Sequence, residues 1–217
     1  KRLADLQTGV SRRRHMSHLF VMKLLPTAAA ASAIIMFQLA QCAAPSQRKT
    51  LSEMEKTEYL EKGKTIAGAT FAALSSRLTA ALEEGGVANA VQYCNLVALP
   101  LTDSLSKENN AVIRRTSLQL RNLQNAPSDW EQILLHDYQA NAQAGKEIKP
   151  TVQLLEDSSV AFAAPILAAP LCLKCHGKTG ETMTAADYSI IQKLYPQDQA
   201  TGYSEGDLRG MWSITFK

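Results

Sequence analysis

The chain has 217 residues, a formal net charge of +3 and 46% hydrophobic residues, enough for one domain with a real core plus an extension. The charge is unevenly spread: residues 1–42 carry six Lys/Arg against one acid, and the remainder holds 17 basic and 19 acidic residues. A slightly acidic body without a clustered cationic face excludes DNA and RNA as partners.

Arg12-Arg13-Arg14 and Lys23 precede an apolar run over residues 24–40, and the small residues Ala40, Cys42, Ala43 and Ala44 follow. That is the outline of a signal peptide, so residues 1–44 read as a targeting segment, with residues 1–15 an upstream extension before Met16 or Met22. Leu39-Ala40-Gln41-Cys42 has the form of a lipoprotein signal, in which Cys42 would carry lipid. Cleavage after Ala44 and retention of the apolar segment as an anchor are the competing readings. Each of them implies an exported, periplasmic protein, tethered to the membrane in two of the three cases.

Residues 45–52 read as a polar linker, and residues 53–217 as the folded domain. Leu60, Ala67, Phe71, Leu74, Leu78 and Leu82 recur at helical spacing, which predicts a long amphipathic helix over 53–84 that Gly85-Gly86 stops. A second helix over 87–99 places Val87, Ala90, Val91, Cys94, Val97 and Ala98 on one stripe, with Pro100 near its end. Cys94 therefore points inward. Alternation over 111–122 predicts a strand. Ser128 with Glu131 three residues on forms a capping-box signature, opening a helix that reaches Ala144. Residues 151–155 and 159–164 read as a hairpin around Glu156-Asp157. A short helix over 184–194 and a closing strand over 208–216 complete the domain, so the order of elements predicts an α+β fold around an antiparallel sheet.

Between the hairpin and the last helix stands Cys172-Leu173-Lys174-Cys175-His176. Two thiols three residues apart followed at once by imidazole form the covalent c-type haem attachment pattern. Each sulfur can add to one porphyrin vinyl group, and the adjacent imidazole can then reach the iron. On this reading Cys172 and Cys175 anchor one haem c and His176 is the proximal metal ligand. A zinc site would want a second paired cluster, whereas Cys42, Cys94 and His136 are isolated. A thioredoxin-like dithiol would open a helix after a strand, whereas this motif follows the Ala/Pro-rich run of residues 161–170.

Four residues are candidates for the second axial position: Cys94, His136, Met183 and Met211. Met183 stands only seven residues past His176, Met211 reads as a strand residue, and His136 as a surface position on its helix. Arg114, Arg115 and Arg121 are candidate partners for haem propionates through bidentate charge-assisted bonds. Trp130, Tyr203 and Trp212 read as core or pocket wall.

Several motifs together carry a resemblance: Tyr93-Cys94-Asn95, Arg115-Thr116-Ser117, Arg121-Asn122, Asn125-Ala126-Pro127 with Trp130-Glu131, residues 172–177, Tyr195-Pro196, Ala200-Thr201-Gly202-Tyr203 and Gly206-Asp207-Leu208-Arg209-Gly210. Over residues 60–216 the chain resembles the PAS-like haem c domains first known as the domain of unknown function DUF3365. Leu123 departs from the Arg-Asn-Pro pattern, which bears on the rigidity of that turn alone. The resemblance implies a PAS-like antiparallel sheet with long N-terminal helices. It also implies His/Cys ligation, falling on His176 and Cys94.

Such a site has consequences that separate three functions. A thiolate donor lowers the reduction potential relative to Met, and it can leave as a thiol on reduction, opening a position for CO, NO or O2. A redox or gas sensor would use that exchange, with a small gas as its ligand. A monohaem electron carrier would keep both ligands and pass electrons to a redox partner protein. A peroxidase needs a distal base, for which His136 is the only remaining histidine of the domain, so no enzyme activity is expected.

Overall fold

The computed structural model describes residues 50–217. The targeting segment and Cys42 lie outside those residues. Ser52 starts α1 (Glu53–Glu108) through a reciprocal capping box with Glu55. The domain begins slightly before residue 53, because Leu51, assigned from sequence to the linker, is buried in the main core.

Gly85-Gly86 bends α1 instead of ending it. Gly86 takes φ 63° and ψ −157°, a conformation that only glycine adopts without strain, and the helix resumes at once. Across the break the Asn89 side chain donates to the Ala81 carbonyl at 3.0 Å, which satisfies a group that a bend would otherwise expose. Pro100 likewise stays inside the helix. Its missing N–H deprives only the Leu96 carbonyl of its helical partner, on a stretch where Leu96 itself is 63% exposed.

Four strands follow: β1 (Ala111–Thr116), β2 (Thr151–Leu154), β3 (Val160–Leu167) and β4 (Leu208–Phe216). They form one antiparallel sheet in the order β1-β4-β3-β2. β1 is shorter than the alternation over 111–122 suggested, because Leu123–Asn125 and the residues before it form turns, with Thr116 donating to the Asn125 carbonyl at 2.8 Å. The Ala/Pro-rich run is strand for most of its length. Proline is tolerated at position 165 because β2 pairs only with Val160–Ala163, leaving β3 with one neighbour there.

The faces of the sheet are set by register. Ala111, Ile113 and Arg115 of β1 stand opposite Phe216, Ile214 and Trp212 of β4, and these share a face with Val160 and Phe162. That face packs under α1 through Ile66, Ala67, Leu74 and Ala98. On the other face lies α2 (Asp129–Gln143), whose Leu135 and Tyr138 cover Met211 and Ala163. Burying Phe162 or Ile214 fully is worth roughly 1.5–3 kcal/mol each, so two such layers make this sheet the centre of the domain.

Two further helices flank the end of α1. Cys172, Cys175 and His176 lie on α3 (Pro170–His176), which Pro170 opens at its first turn and Gly177 closes. A Cβ on residue 177 would run into the Leu173 carbonyl oxygen and Thr182, so glycine is required by close approach. α4 (Ala185–Leu194) is capped by Thr184 and packs Ile191 against Val91 of α1. The outcome is the α+β class expected, with an antiparallel sheet and a long N-terminal helix.

Candidate functional site

A cavity of about 250 Å3 lies between α1, α3 and the end of the sheet that bears Arg115 and Trp212. Its wall is mostly apolar, with Leu74, Leu78, Leu82, Val91 and Ile166 among the lining residues. Into it α3 contributes Cys172, Cys175 and His176, and the second half of α1 contributes Cys94. These four residues, spread over 83 positions of sequence, line one cavity. All three cysteines are free and partly buried.

The reason α3 presents its motif in this way is local. On a helix, residues three and four apart share a face, so Cys172, Cys175 and His176 can all be directed to one side, while Leu173 turns into a small core with Ala168, Ala200 and Tyr203. The stripe on α1 runs as expected through Ala90, Val91, Cys94 and Ala98. Phe71, assigned from sequence to the buried stripe of the first half, is 56% exposed, because it borders the cavity instead of the packed core.

His176 is held by a backbone group. Its Nδ1 lies 2.7 Å from the Ala200 carbonyl oxygen. A carbonyl only accepts, so Nδ1 carries the proton and Nε2 keeps a free lone pair. Burial holds the ring neutral well below its ordinary pKa, helped by the positive charges of Arg209 and Arg121 and opposed by the Ala200 bond. The Tyr203 ring meets the imidazole edge-on, with centroids 6.4 Å apart. A neutral imidazole with a fixed tautomer is the form that donates to a metal.

Two thiols of the site are also tuned by burial. Cys94 is pushed above its ordinary thiol pKa, with Arg115 and Arg121 pulling it back. Cys175 is pushed up to about 11 for the same reason, opposed chiefly by Arg121.

Arg121 braces the whole corner. Its Nε and Nη2 donate to the two carboxylate oxygens of Asp198 at 3.2 and 3.0 Å, and Nη2 also reaches the carbonyls of Cys175 at 2.6 Å and Ala200 at 3.2 Å. The carbonyl that fixes His176 is therefore the one that Arg121 fixes. Asp198 is 1% exposed and also accepts from the Ala200 N–H at 2.9 Å.

The structure separates the remaining sequence candidates. Arg114 does not line the cavity: alternation along β1 turns it to the α2 face, where it pairs with Glu131 at 3.0 Å and donates to the Ala126 carbonyl at 2.7 Å. Arg115, one residue on, does line the cavity, with its guanidinium 5.7 Å over the Trp212 ring. Arg121 lines it too, already bound to Asp198. His136 is exposed on α2. Met183 is buried with Ile191 and Tyr195, and Met211 lies under α2; neither lines the cavity. Of the four candidates for a second donor, Cys94 alone lines the cavity with His176.

Sequence reasoning missed Asp198, the Ala200 carbonyl and Arg209. Arg209 and Ala200 stood inside quoted motifs without a role; Asp198 carries no pattern that would mark it. Two polar atoms at this site are buried and unpartnered among the described residues: the Tyr93 hydroxyl and Arg209 Nε. Both residues line the cavity. Buried polar groups are ordinarily hydrogen-bonded, so orphans beside a cavity fit a ligand that brings acceptors. No cluster of three or more His, Cys, Asp or Glu able to hold a bare metal ion occurs among the described residues, which removes support from the zinc reading. Two thiols, a tautomer-fixed imidazole and a large apolar wall fit a porphyrin well.

Comparison with known proteins agrees with this architecture. Among solved structures, the crystal structure of the cyanobacterial heme-protein Tll0287 matches with a TM-score of 0.52 and 23% identity, over 76% of this chain and 96% of that one. At that identity the likeness speaks for the fold. A search of the curated proteins found no match. The family model described as Tll0287-like covers residues 24–217, nearly the whole chain with the sheet, α3 and the cavity wall inside it, and the chain therefore belongs to the Tll0287-like family.

Proposed function

We propose that this chain is an exported c-type haem protein in which Cys172 and Cys175 carry one haem c, His176 and Cys94 are its axial donors, and the site serves as a redox- or gas-responsive module. The convergence of Cys172, Cys175, His176 and Cys94 on one apolar cavity is the observation that carries this reading. Family membership supports the haem part of it, since the related cyanobacterial structure is a heme-protein. Bound there, haem would supply an iron that exchanges one electron and accepts axial ligands.

The roles of the protein groups follow from their chemistry. Cys172 and Cys175 would hold the group through thioether bonds, making retention independent of axial ligation. His176 Nε2 is the proximal donor, kept in its tautomer by Ala200 and, through that carbonyl, by Arg121. Cys94 is the second donor. As a free thiol it is favoured in its protonated form by burial, so a thiolate released from iron would take up a proton. A two-state donor is what a responsive module requires and an electron carrier does not.

Electron transfer to a protein partner is the second reading. It is favoured by the cavity's open side, where the lining residues Phe71 and Leu171 are 56% and 38% exposed and would leave an edge of the group near the surface.

Spectroscopy of the protein from a host that matures cytochromes c tests both, in ferric and ferrous states, with Cys94→Ala beside wild type. We expect a low-spin thiolate signature in the ferric wild type that Cys94→Ala abolishes while the covalent haem mass remains. Reduction should change the ligation of a sensor and leave that of a carrier unaltered. A low-spin ferric spectrum identical in the variant would sink Cys94 ligation, and wild type without haem mass or a Soret band would sink the haem assignment.

A further inference from the structure

Three arginines, Arg115, Arg121 and Arg209, line the cavity, and no Asp or Glu does. Only Arg121 has a carboxylate, that of the buried Asp198. Arg115 makes no hydrogen bond or ion pair among the described residues and is held by Trp212 alone, as a cation over a ring. Arg209 Nη1 donates to Ser117 Oγ at 2.9 Å and the Gln119 carbonyl at 3.3 Å, its guanidinium lies 5.4 Å over the Tyr203 ring, and its Nε has no partner. Those contacts orient Arg209 without cancelling its charge.

Two guanidinium charges beside a mostly apolar space, neither ion-paired with a carboxylate, are unfavourable unless something else brings a counter-charge. A bound group must therefore carry two negative charges on acceptors suited to a planar fork of donors, which is the description of two carboxylates. We propose that Arg115 and Arg209 form a dicarboxylate-binding pole of the cavity, and, resting on the haem reading above, that the carboxylates they bind are the two propionates. Of the three arginines singled out from sequence the pole keeps Arg115 alone and adds Arg209, because Arg114 is committed to Glu131 on the far face of the sheet, and Arg121 to Asp198.

The test uses the full-length haem-loaded protein, with Arg115→Gln and Arg209→Gln beside wild type, and Arg77→Gln as a reference that removes one exposed positive charge. Intact mass reports thioether-bound haem, spectroelectrochemistry reports the midpoint potential, and resonance Raman reports the propionate bending bands. All four proteins should keep the haem mass. Both cavity variants should shift the midpoint to more negative values, several-fold further than Arg77→Gln does, and should move the propionate bands, because a carboxylate has lost its cation. Arg115→Lys and Arg209→Lys keep the charge but not the fork; they should recover most of the potential while the bands remain displaced, and they carry the test if a glutamine variant fails to fold. Wild-type potential and bands in both cavity variants would overturn the pole while leaving the haem reading intact. Wild type lacking the haem mass would overturn the haem reading and, with it, the identification of the carboxylates.

Discussion

Asp198→Asn isolates one charge at the most heavily braced point of the site. Asparagine keeps the shape and one acceptor oxygen, so the packing around position 198 survives, while Arg121, 12% exposed, loses the only carboxylate on it. Breaking a buried pair by removing one partner costs about 3–5 kcal/mol, because the remaining charge stays desolvated. Here Arg115 and Arg209 line the same cavity and add to the uncompensated charge. Against a typical total stability of about 5–15 kcal/mol the loss is large, and for a domain of this size each kcal/mol moves the midpoint by about 2–4 °C, which gives a fall of about 6–20 °C. Thermal unfolding followed by circular dichroism on the purified protein measures it. Combining Asp198→Asn with Arg121→Gln should recover part of the loss, since the stranded charge is then gone. A single variant that loses less than about 1 kcal/mol, or a double variant no better than it, would falsify the claim that Arg121 is a buried cation dependent on Asp198.

Glu131→Gln removes the negative charge that joins Arg114 to the Ser128 cap; urea unfolding should show a loss of about 2–4 kcal/mol, while any haem spectrum stays as in wild type because α2 covers the opposite face of the sheet. Gly86→Ala forces a side chain onto φ 63° and ψ −157°, at a cost of about 1–3 kcal/mol, and since the bend aims the second half of α1, visible spectra should show altered ligation by Cys94 as well. Tyr138 is buried, which raises its phenol pKa, and its hydroxyl donates to the Lys149 carbonyl at 3.0 Å. The folded state thus keeps this proton to higher pH than the unfolded state does, so the contribution is full below about pH 10 and is lost as pH rises beyond it. Stability measured from pH 9 to 11 should fall less steeply in Tyr138→Phe than in wild type; equal slopes would count against that burial.

Much of this domain was legible because it depends on neighbours in the chain. The capping box at Ser128 and Glu131, the alternation that makes β4, and the hairpin around Glu156-Asp157 are short-range patterns, and each appears where it was read. The features misread were those in which a local breaker met a tertiary support. Gly85-Gly86 and Pro100 interrupt hydrogen bonding, but Asn89 satisfies the first break, and the core residues Leu74 and Ala98, on either side of the bend, pack on one sheet face, so α1 continues through both.

By itself the sequence determined the grouping of Cys172, Cys175 and His176, since spacings of three and four residues on one short helix suffice to share a side. It also narrowed the candidates for a second donor to four residues and those for cationic partners to three. Only the tertiary structure decided which of them line the cavity. Strand parity sent Arg114 to one face of the sheet and Arg115 to the other, a choice that depends on what each face packs against. Arg121 found its carboxylate 77 residues away, His176 found its acceptor on a backbone carbonyl 24 residues away, and Arg209 found Ser117 across 92. Interactions of that range are set by the closing of the sheet around β4, and their energy comes from burial, which no single stretch of the chain possesses before the domain is folded.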